Sequence, residues 1–359
     1  MNRDIVFDRL YSYFCENGNY GTKNVMKQIS KDIFEKMCMI DPSVSLDYVQ
    51  NRLKKIKKFR KKLIELQKIP VVEQRSKEWY DMRDTMITAS DFGSAMGKGK
   101  FTSKKEFFRK KCKHEDVPFM TSPPTTWGVK YEEVANMIYK ERNNVEVFEF
   151  GLVRDQNTSY LGASPDGIND NGIMVEYKCP FRKKEIPGQI IEQYYIQMQG
   201  QMEVCGLDEC DFFECLIDEY MDFDEWIEVY GNRDSLREGS RERGIIITEI
   251  VDNSNVYHYS PVNLCDSVGC MREWMNENVK KMTNFYVSYW ILDIASQVRV
   301  YRDHKMLERI LSEMKDAWDL IISYNNDVNF YNDDIGRKKR REDVPSKLHK
   351  IGISAFRNL

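Results

Sequence analysis

Asp166, Glu176 and Lys178 are the residues whose types and spacing could do chemistry in this sequence. They sit in Ser164-Pro165-Asp166-Gly167 and Val175-Glu176-Tyr177-Lys178, with Asn169-Asp170-Asn171-Gly172 between. Strand side chains alternate faces, so Glu176 and Lys178 point one way and Tyr177 the other. Asn-Gly between two apolar runs signals a hairpin turn, and a hairpin over 161–179 folds Asp166 back beside Glu176. Two carboxylates and an ammonium then meet at one end of a sheet. Close carboxylates repel, and one would normally keep its proton. A hard cation removes that conflict: Mg²⁺ takes one or two carboxylates plus waters and substrate phosphate oxygens. The backbone carbonyl of Tyr177 is a further oxygen donor for it. Lys178 would position or deprotonate a water, or stabilise charge at phosphorus. The chemistry is metal-assisted phosphodiester hydrolysis. An ordinary surface hairpin with a neighbouring Glu–Lys pair would present the same residues, so the weight falls on what surrounds them.

The surrounding pattern predicts elements able to position such a site. Residues 126–142 read as a helix with Trp127, Tyr131, Val134 and Ile138 on one face. Strands are expected at 145–153 and 211–217, with a helix over 188–205. On that helix Gln193, Gln197 and Gln201 recur every four residues, a neutral polar stripe that can bond water and carboxylates without adding charge. Thr88 or Ser90 would cap a helix running to Met96. The middle of the chain is thus a mixed α/β core. The first 70 residues read as helical, and 51–62 hold eight Lys/Arg and no carboxylate, a solvated face or a phosphate-touching one. A second basic stretch, 98–113, carries Phe101, Phe107 and Phe108, as core or as stacking groups. From 185 to 232 there are 13 carboxylates and no Lys or Arg, a surface expected to face solvent or a partner rather than DNA. A hairpin is expected over 245–259, helices near 264–300 and 303–325, and a solvated basic tail or DNA contact at 336–341. The expected division is a helical extension (1–70), the core (71–232), a hairpin and helices packed on it (233–330), and a basic tail (331–359).

Composition bounds the function. With 54 basic and 57 acidic side chains in 359 residues the formal charge is −3, which excludes a uniformly basic nucleic-acid coat. Apolar residues at 42% and aromatics at 12% suffice for a folded core. No apolar run is long enough to span a bilayer, and the start shows no apolar leader. Nine cysteines, an odd number, fit a reduced intracellular protein, in host cytoplasm or nucleus if viral. Cys205, Cys210 and Cys215, spaced by five, and Cys265 and Cys270 read as core thiols rather than zinc doublets. No phosphate-cradling Gly-x-x-x-x-Gly-Lys-Ser/Thr loop is present.

Six segments in order make the company specific: 75–83 (Arg75-Ser76-Lys77-Glu78-Trp79-Tyr80-Asp81-Met82-Arg83), 87–92 (Ile87-Thr88-Ala89-Ser90-Asp91-Phe92), 127–132 (Trp127-Gly128-Val129-Lys130-Tyr131-Glu132), then 164–167, 175–181 and 194–199. Over 75–217 the chain resembles the phage lambda exonuclease family, the YqaJ-type viral recombinases of the PD-(D/E)xK nuclease superfamily. The resemblance implies a restriction-endonuclease-like α/β fold with a mixed central sheet, here with helical additions at both ends. It implies metal ligation by Asp166, Glu176 and the Tyr177 carbonyl, and a catalytic Lys178. Glu132 would support a second metal or the water network, and Gln197 would be the active-site helix glutamine. Arg83 and Ser90 would hold a terminal 5′ phosphate, with Trp79 one turn before Arg83 to brace it or stack near the DNA end. Tyr177 replaces a more usual small apolar residue. The implied activity is a 5′→3′ exonuclease on duplex DNA ends, with Mg²⁺ or in its place Mn²⁺, leaving 3′ single strands for recombination. A single-strand annealing protein and a ring-shaped homotrimer are the implied partners. A structure-specific or nicking endonuclease, a CRISPR-adaptation or RecB-like accessory nuclease, and a non-catalytic DNA-end binder are the alternatives.

Overall fold

The computed structural model describes residues 2–16, 23–72, 76–112, 114, 122–182, 188–230, 242–264 and 267–335. Arg75, Cys265 and the basic cluster at 336–341 lie outside the described residues. Among the described residues, no helix is long and apolar enough to cross a membrane.

Three helices come first: α1 (Arg3–Glu16), α2 (Lys23–Ile40) and α3 (Leu46–Leu66). They form their own apolar cluster around Phe7, Ile33, Val49 and Ile56. On α3 the apolar residues recur at helical spacing and are buried, and Ser45 accepts the Tyr48 N–H as the N-cap. Lys54, Lys55, Lys57, Lys58 and Lys61 point outward. The chain continues through α4 (Lys77–Asp84), β1 (Ile87–Thr88), α5 (Ala89–Ala95), α6 (Lys104–Cys112) and α7 (Pro123–Asn143). Next come β2 (Val147–Phe148), β3 (Val153–Arg154), β4 (Leu161–Ala163), β5 (Gly167–Asn169) and β6 (Met174–Lys178). Then follow α8 (Glu192–Cys205), β7 (Glu209–Tyr220), α9 (Phe223–Tyr230), β8 (Arg243–Val251), β9 (Ser254–Tyr259), α10 (Val268–Val279), β10 (Phe285–Tyr301), α11 (His304–Asn326) and α12 (Val328–Asp334).

The mixed α/β class expected from the sequence is what the chain adopts. One sheet has seven strands in the order β2-β5-β6-β7-β10-β8-β9, and a small one has the order β1-β4-β3. In the large sheet β6 and β7 are parallel and the other pairs antiparallel. Three sequence expectations need correction. Residues 285–301 are not helical: they form β10, a central strand paired to β7 on one side and β8 on the other. The run 145–153 is not one strand but β2 and β3, in different sheets. The expected hairpin over 161–179 is shorter, because β4 joins the small sheet and only β5 and β6 pair across the turn.

That turn is fixed from outside. Gly172 has φ +79°, and a Cβ there would stand 2.5 Å from the carbonyl carbon of Phe59, so α3 lies directly on it. A Cβ on Gly200 would stand 2.5 Å from the Phe92 ring, so its absence lets α5 and α8 close together and fixes where α8 aims its glutamines.

The acidic run of 185–232 does not face solvent throughout, a further correction. Glu209 and Asp211 of β7 are buried and bonded to Arg299 of β10, whose guanidinium also reaches Asp8 of α1 at 2.9 Å. Arg52 of α3 bonds Asp8 and Glu209 from the other side, with Asp4 3.5 Å away. The carboxylates outnumber the arginines, and burial pushes the Asp8 carboxyl up against the pull of Arg299 and Arg52. This network ties the N-terminal helices to the sheet. Cys205, Cys210 and Cys215 are buried thiols, as expected. Cys270 is half-buried and held in a disulfide, which departs from the all-thiol core expectation.

Candidate active site

The site is built at the end of the large sheet away from the β5–β6 turn. β6 carries Glu176 and Lys178 on one face, and the Tyr177 ring goes to the other, into the cluster around Tyr139 and Phe213. Its hydroxyl donates to Asn136 on α7 at 3.0 Å. The Asp166 carboxylate accepts the backbone N–H of Tyr177 at 2.8 Å, so the residue before β5 is stitched to the strand that carries Glu176. Asp166, Glu176 and Lys178 therefore come together as the alternation and turn required.

Glu176 is fully buried and tightly held. Its Oε1 accepts from Lys178 Nζ and from Gln197 Nε2, the latter at 2.6 Å, and its Oε2 accepts from Gln201 Nε2 at 2.7 Å. The glutamine stripe of α8 thus fixes the carboxylate plane with neutral donors. Gln201 joins Gln197 on this carboxylate, in keeping with the four-residue stripe read from the sequence, although the family resemblance singled out Gln197 alone. Gln193, first of the stripe, accepts the Lys100 N–H at 2.7 Å instead.

The electrostatics follow from this crowding. Burial raises the Asp166 carboxyl well above its usual range, and the neighbouring Glu176 and Glu132 carboxylates raise it further against Lys178. Burial works against the Lys178 charge, but Glu176 and Asp166 outweigh it and hold the ammonium above its usual range. Glu132 of α7 stands between two adjoining cavities, one of ≈ 460 Å³ and one of ≈ 810 Å³, which share Glu132, Asp166 and Tyr177 in their walls. Glu176, Lys178 and Gln197 open only to the larger.

Among the described residues, no group of three Asp, Glu, His or Cys side chains is placed to hold an ion alone. Asp166, Glu176 and the Tyr177 carbonyl are nonetheless hard oxygen donors in the number Mg²⁺ asks of a protein when phosphate and water complete its shell. A cation there would also relieve the pressure that raises Asp166.

Arg83, Ser90 and Trp79 form a second group nearby. Arg83 donates to the Ser90 hydroxyl at 3.3 Å, and its guanidinium lies 4.5 Å from the centre of the Trp79 ring. Trp79 Nε1 in turn donates to Ser164, two residues before Asp166, at 3.4 Å. Asp91 and Lys111 were not singled out from the sequence. Lys111 donates to the carbonyls of Arg83 and Met86 and pairs with Asp91, which also faces Arg83 at 3.6 Å. Burial opposes the Asp91 charge, but Lys111 and Arg83 hold its carboxyl below the usual range. Thr88 is the N-cap residue of α5, yet its hydroxyl accepts no helix N–H; it donates to the Asp91 carboxylate and lies 3.2 Å from the Ser90 hydroxyl, which also accepts from Arg83. Of the second basic stretch, Phe107 and Phe108 are core, while Phe101 is exposed on the wall of the larger cleft.

Residues 78–208 match the family model of the YqaJ-like viral recombinase domain. An uncharacterized protein of Acanthamoeba polyphaga mimivirus is 29% identical over 277 residues, covering 71% of this chain and 48% of its own length, so the chain spans about half of that relative. Among solved structures, the alkaline exonuclease LHK-Exo of Laribacter hongkongensis is similar at 17% identity and TM-score 0.43, over 71% of this chain and 97% of its own. A phage related exonuclease from Haemophilus somnus 129PT is similar at 14% identity and TM-score 0.37, over 66% and 95%.

Proposed function

We propose that this chain, with a segment matching the YqaJ-like viral recombinase domain, is a divalent-metal-dependent deoxyribonuclease that shortens duplex DNA from its ends, 5′→3′. The observation that carries the reading is the convergence of Asp166, Glu176 and Lys178 in one cleft, with the Glu176 carboxylate fixed by Gln197 and Gln201. Asp166, Glu176 and the Tyr177 carbonyl would hold Mg²⁺, which supplies Lewis-acid polarisation of the phosphate and an activated water. Lys178 offers its ammonium to the charge that develops on the phosphate. Gln197 and Gln201 keep Glu176 from turning toward the ammonium alone. Glu132, at the junction of the two cavities, would order water beside Asp166. A single-strand annealing protein and a ring of three copies are proposed with the activity, on the same resemblance.

End-labelled linear and closed circular DNA, incubated with Mg²⁺, Mn²⁺ or EDTA, test the reading. Linear DNA should shorten in either metal and persist in EDTA, while circles stay closed. Nicked circles would move the assignment to an endonuclease, and inert DNA in both metals to an end-binding protein.

Arg83, braced by Trp79 and paired with Ser90, is proposed to grip the terminal 5′ phosphate. Arg83→Ala should lower kcat/KM on 5′-phosphorylated ends about 10- to 150-fold, the range for losing one hydrogen bond to a charged group. On 5′-hydroxyl ends the loss should be severalfold smaller. Equal losses on both ends would remove the phosphate from this pocket.

A further inference from the structure

The outward face of α3 is charged in a way that other exposed helix faces of this chain are not. Residues 51–62 hold eight Lys/Arg and no carboxylate, and Lys54, Lys55, Lys57, Lys58 and Lys61 are exposed. Like charges three and four residues apart repel one another along a helix. Elsewhere the chain answers this with alternating sign. On α11 Arg309 pairs with Glu313 at 3.1 Å and Lys315 with Asp319 at 3.6 Å, and on α2 Lys31 pairs with Glu35 at 3.8 Å. On α3 only the flank is answered: Lys55 lies 3.9 Å from Glu209 and Lys58 2.9 Å from Asp208, at the start of β7. Lys54, Lys57 and Lys61 meet no carboxylate among the described residues. Their three- and four-residue spacing puts them on one side of the helix. The opposite side is fixed, with Arg52, Ile56, Phe59, Leu63 and Leu66 buried, so the ridge stands on a rigid support.

We infer that this ridge grips the phosphate backbone of duplex DNA at a site apart from the cleft. The inference rests on the reading of DNA as the substrate, and not on its cleavage. Lys54 and Lys61 stand about 10 Å apart along the helix, the axial length of about three phosphates on one strand. Single-strand grooves set exposed rings among their cations, and the bases stack on them. The aromatic residue among these lysines, Phe59, is 3% exposed, so the ridge offers charge alone. A lipid surface needs the apolar face of a helix free to insert, and on α3 that face is buried. The ridge is also separate from the hydrolytic groups. Phe59 lies on Gly172, in the turn before β6, whereas Lys178, at the far end of that strand, faces the cleft.

The test uses a duplex capped by hairpins at both ends, which offers the cleft no end, and a single strand of equal length. Affinity is read by fluorescence anisotropy in EDTA between 50 and 200 mM salt. Loss of three phosphate contacts lowers the slope of log affinity against log salt by about 2.7. Over that range the parent should therefore lose about 40-fold more duplex affinity than Lys54→Gln/Lys57→Gln/Lys61→Gln does. Lys305→Gln/Arg309→Gln/Lys315→Gln removes three charges from α11 and should keep the parental slope, which separates a local contact from net charge. All six residues are exposed, so thermal melting should stay close to the parent's and serves as the folding check. A parent that does not bind the capped duplex, equal slopes in the parent and the α3 variant, or an equal drop in the α11 variant overturns the inference. A drop on the single strand as large as that on the duplex overturns it too. No cleavage is read here, so DNA that persists in magnesium and manganese defeats the nuclease reading and leaves this result standing.

Discussion

Asp166→Asn is expected to lower kcat on linear DNA by on the order of 10³-fold or more, with DNA affinity in calcium changed by less than about tenfold. The amide oxygen of asparagine can still accept the Tyr177 N–H that holds this position to β6, so the fold should persist. What is lost is one anionic donor for the metal. Lys178→Ala should reach a similar loss by another route, removing the cation closest to the developing phosphate charge. Glu176 is a poorer choice for the experiment. It is buried and receives Lys178, Gln197 and Gln201, so its removal strands three donors and mixes stability with chemistry. Turnover within tenfold of the parent in either Asp166→Asn or Lys178→Ala would take these residues out of the reaction.

The second large effect lies away from the cleft. Arg299→Met should destabilise the protein by roughly 3–5 kcal/mol, the usual range for removing one partner of a buried charge pair. The guanidinium satisfies Asp8, Glu209 and Asp211 together, and methionine would leave those carboxylates facing one another in the interior. Lys58 offers the contrast. Its pair with Asp208 is 2.9 Å long, but the lysine side chain is 73% exposed, and Lys58→Met should change stability by no more than about 1 kcal/mol. Chemical denaturation of the two variants beside the parent checks both numbers. Similar small changes in both would mean that the buried network carries no more than a surface pair.

Much of the site could be read from local rules. Alternation along 175–178 places Glu176 opposite Tyr177, the Asn-Gly turn returns the chain, and four-residue spacing lines up Gln197 with Gln201. These depend on neighbours within a dozen residues. The misreadings involve partners far apart in sequence. β10 carries Val287, Ile291, Val298 and Val300, a β-branched content that signalled a strand. Its burial does not alternate, because it is covered by strands at both sides and by packing on both faces, and an apolar run without a clear period is ambiguous between helix and strand. The acidic stretch looked like a solvated surface because its counter-charges, Arg52 and Arg299, lie roughly 90 to 160 residues away. Likewise Lys111 draws its meaning from Arg83 and Asp91, 28 and 20 residues before it, which the fold and not the sequence order brings to it.

The parallel pairing of β6 with β7 has a practical consequence. The strand that bears Glu176 and Lys178 is matched residue for residue against 210–214, so Glu176 lies opposite Phe212. The segment that matches the family model ends at 208, just short of that neighbour. Excising it as a minimal fragment would strip the hydrogen-bonding edge from the strand at the heart of the cleft and expose the underside of its floor to water. Engineering work should therefore treat the portion beyond 208, through the long strand ending at Tyr301, as part of the same folding unit.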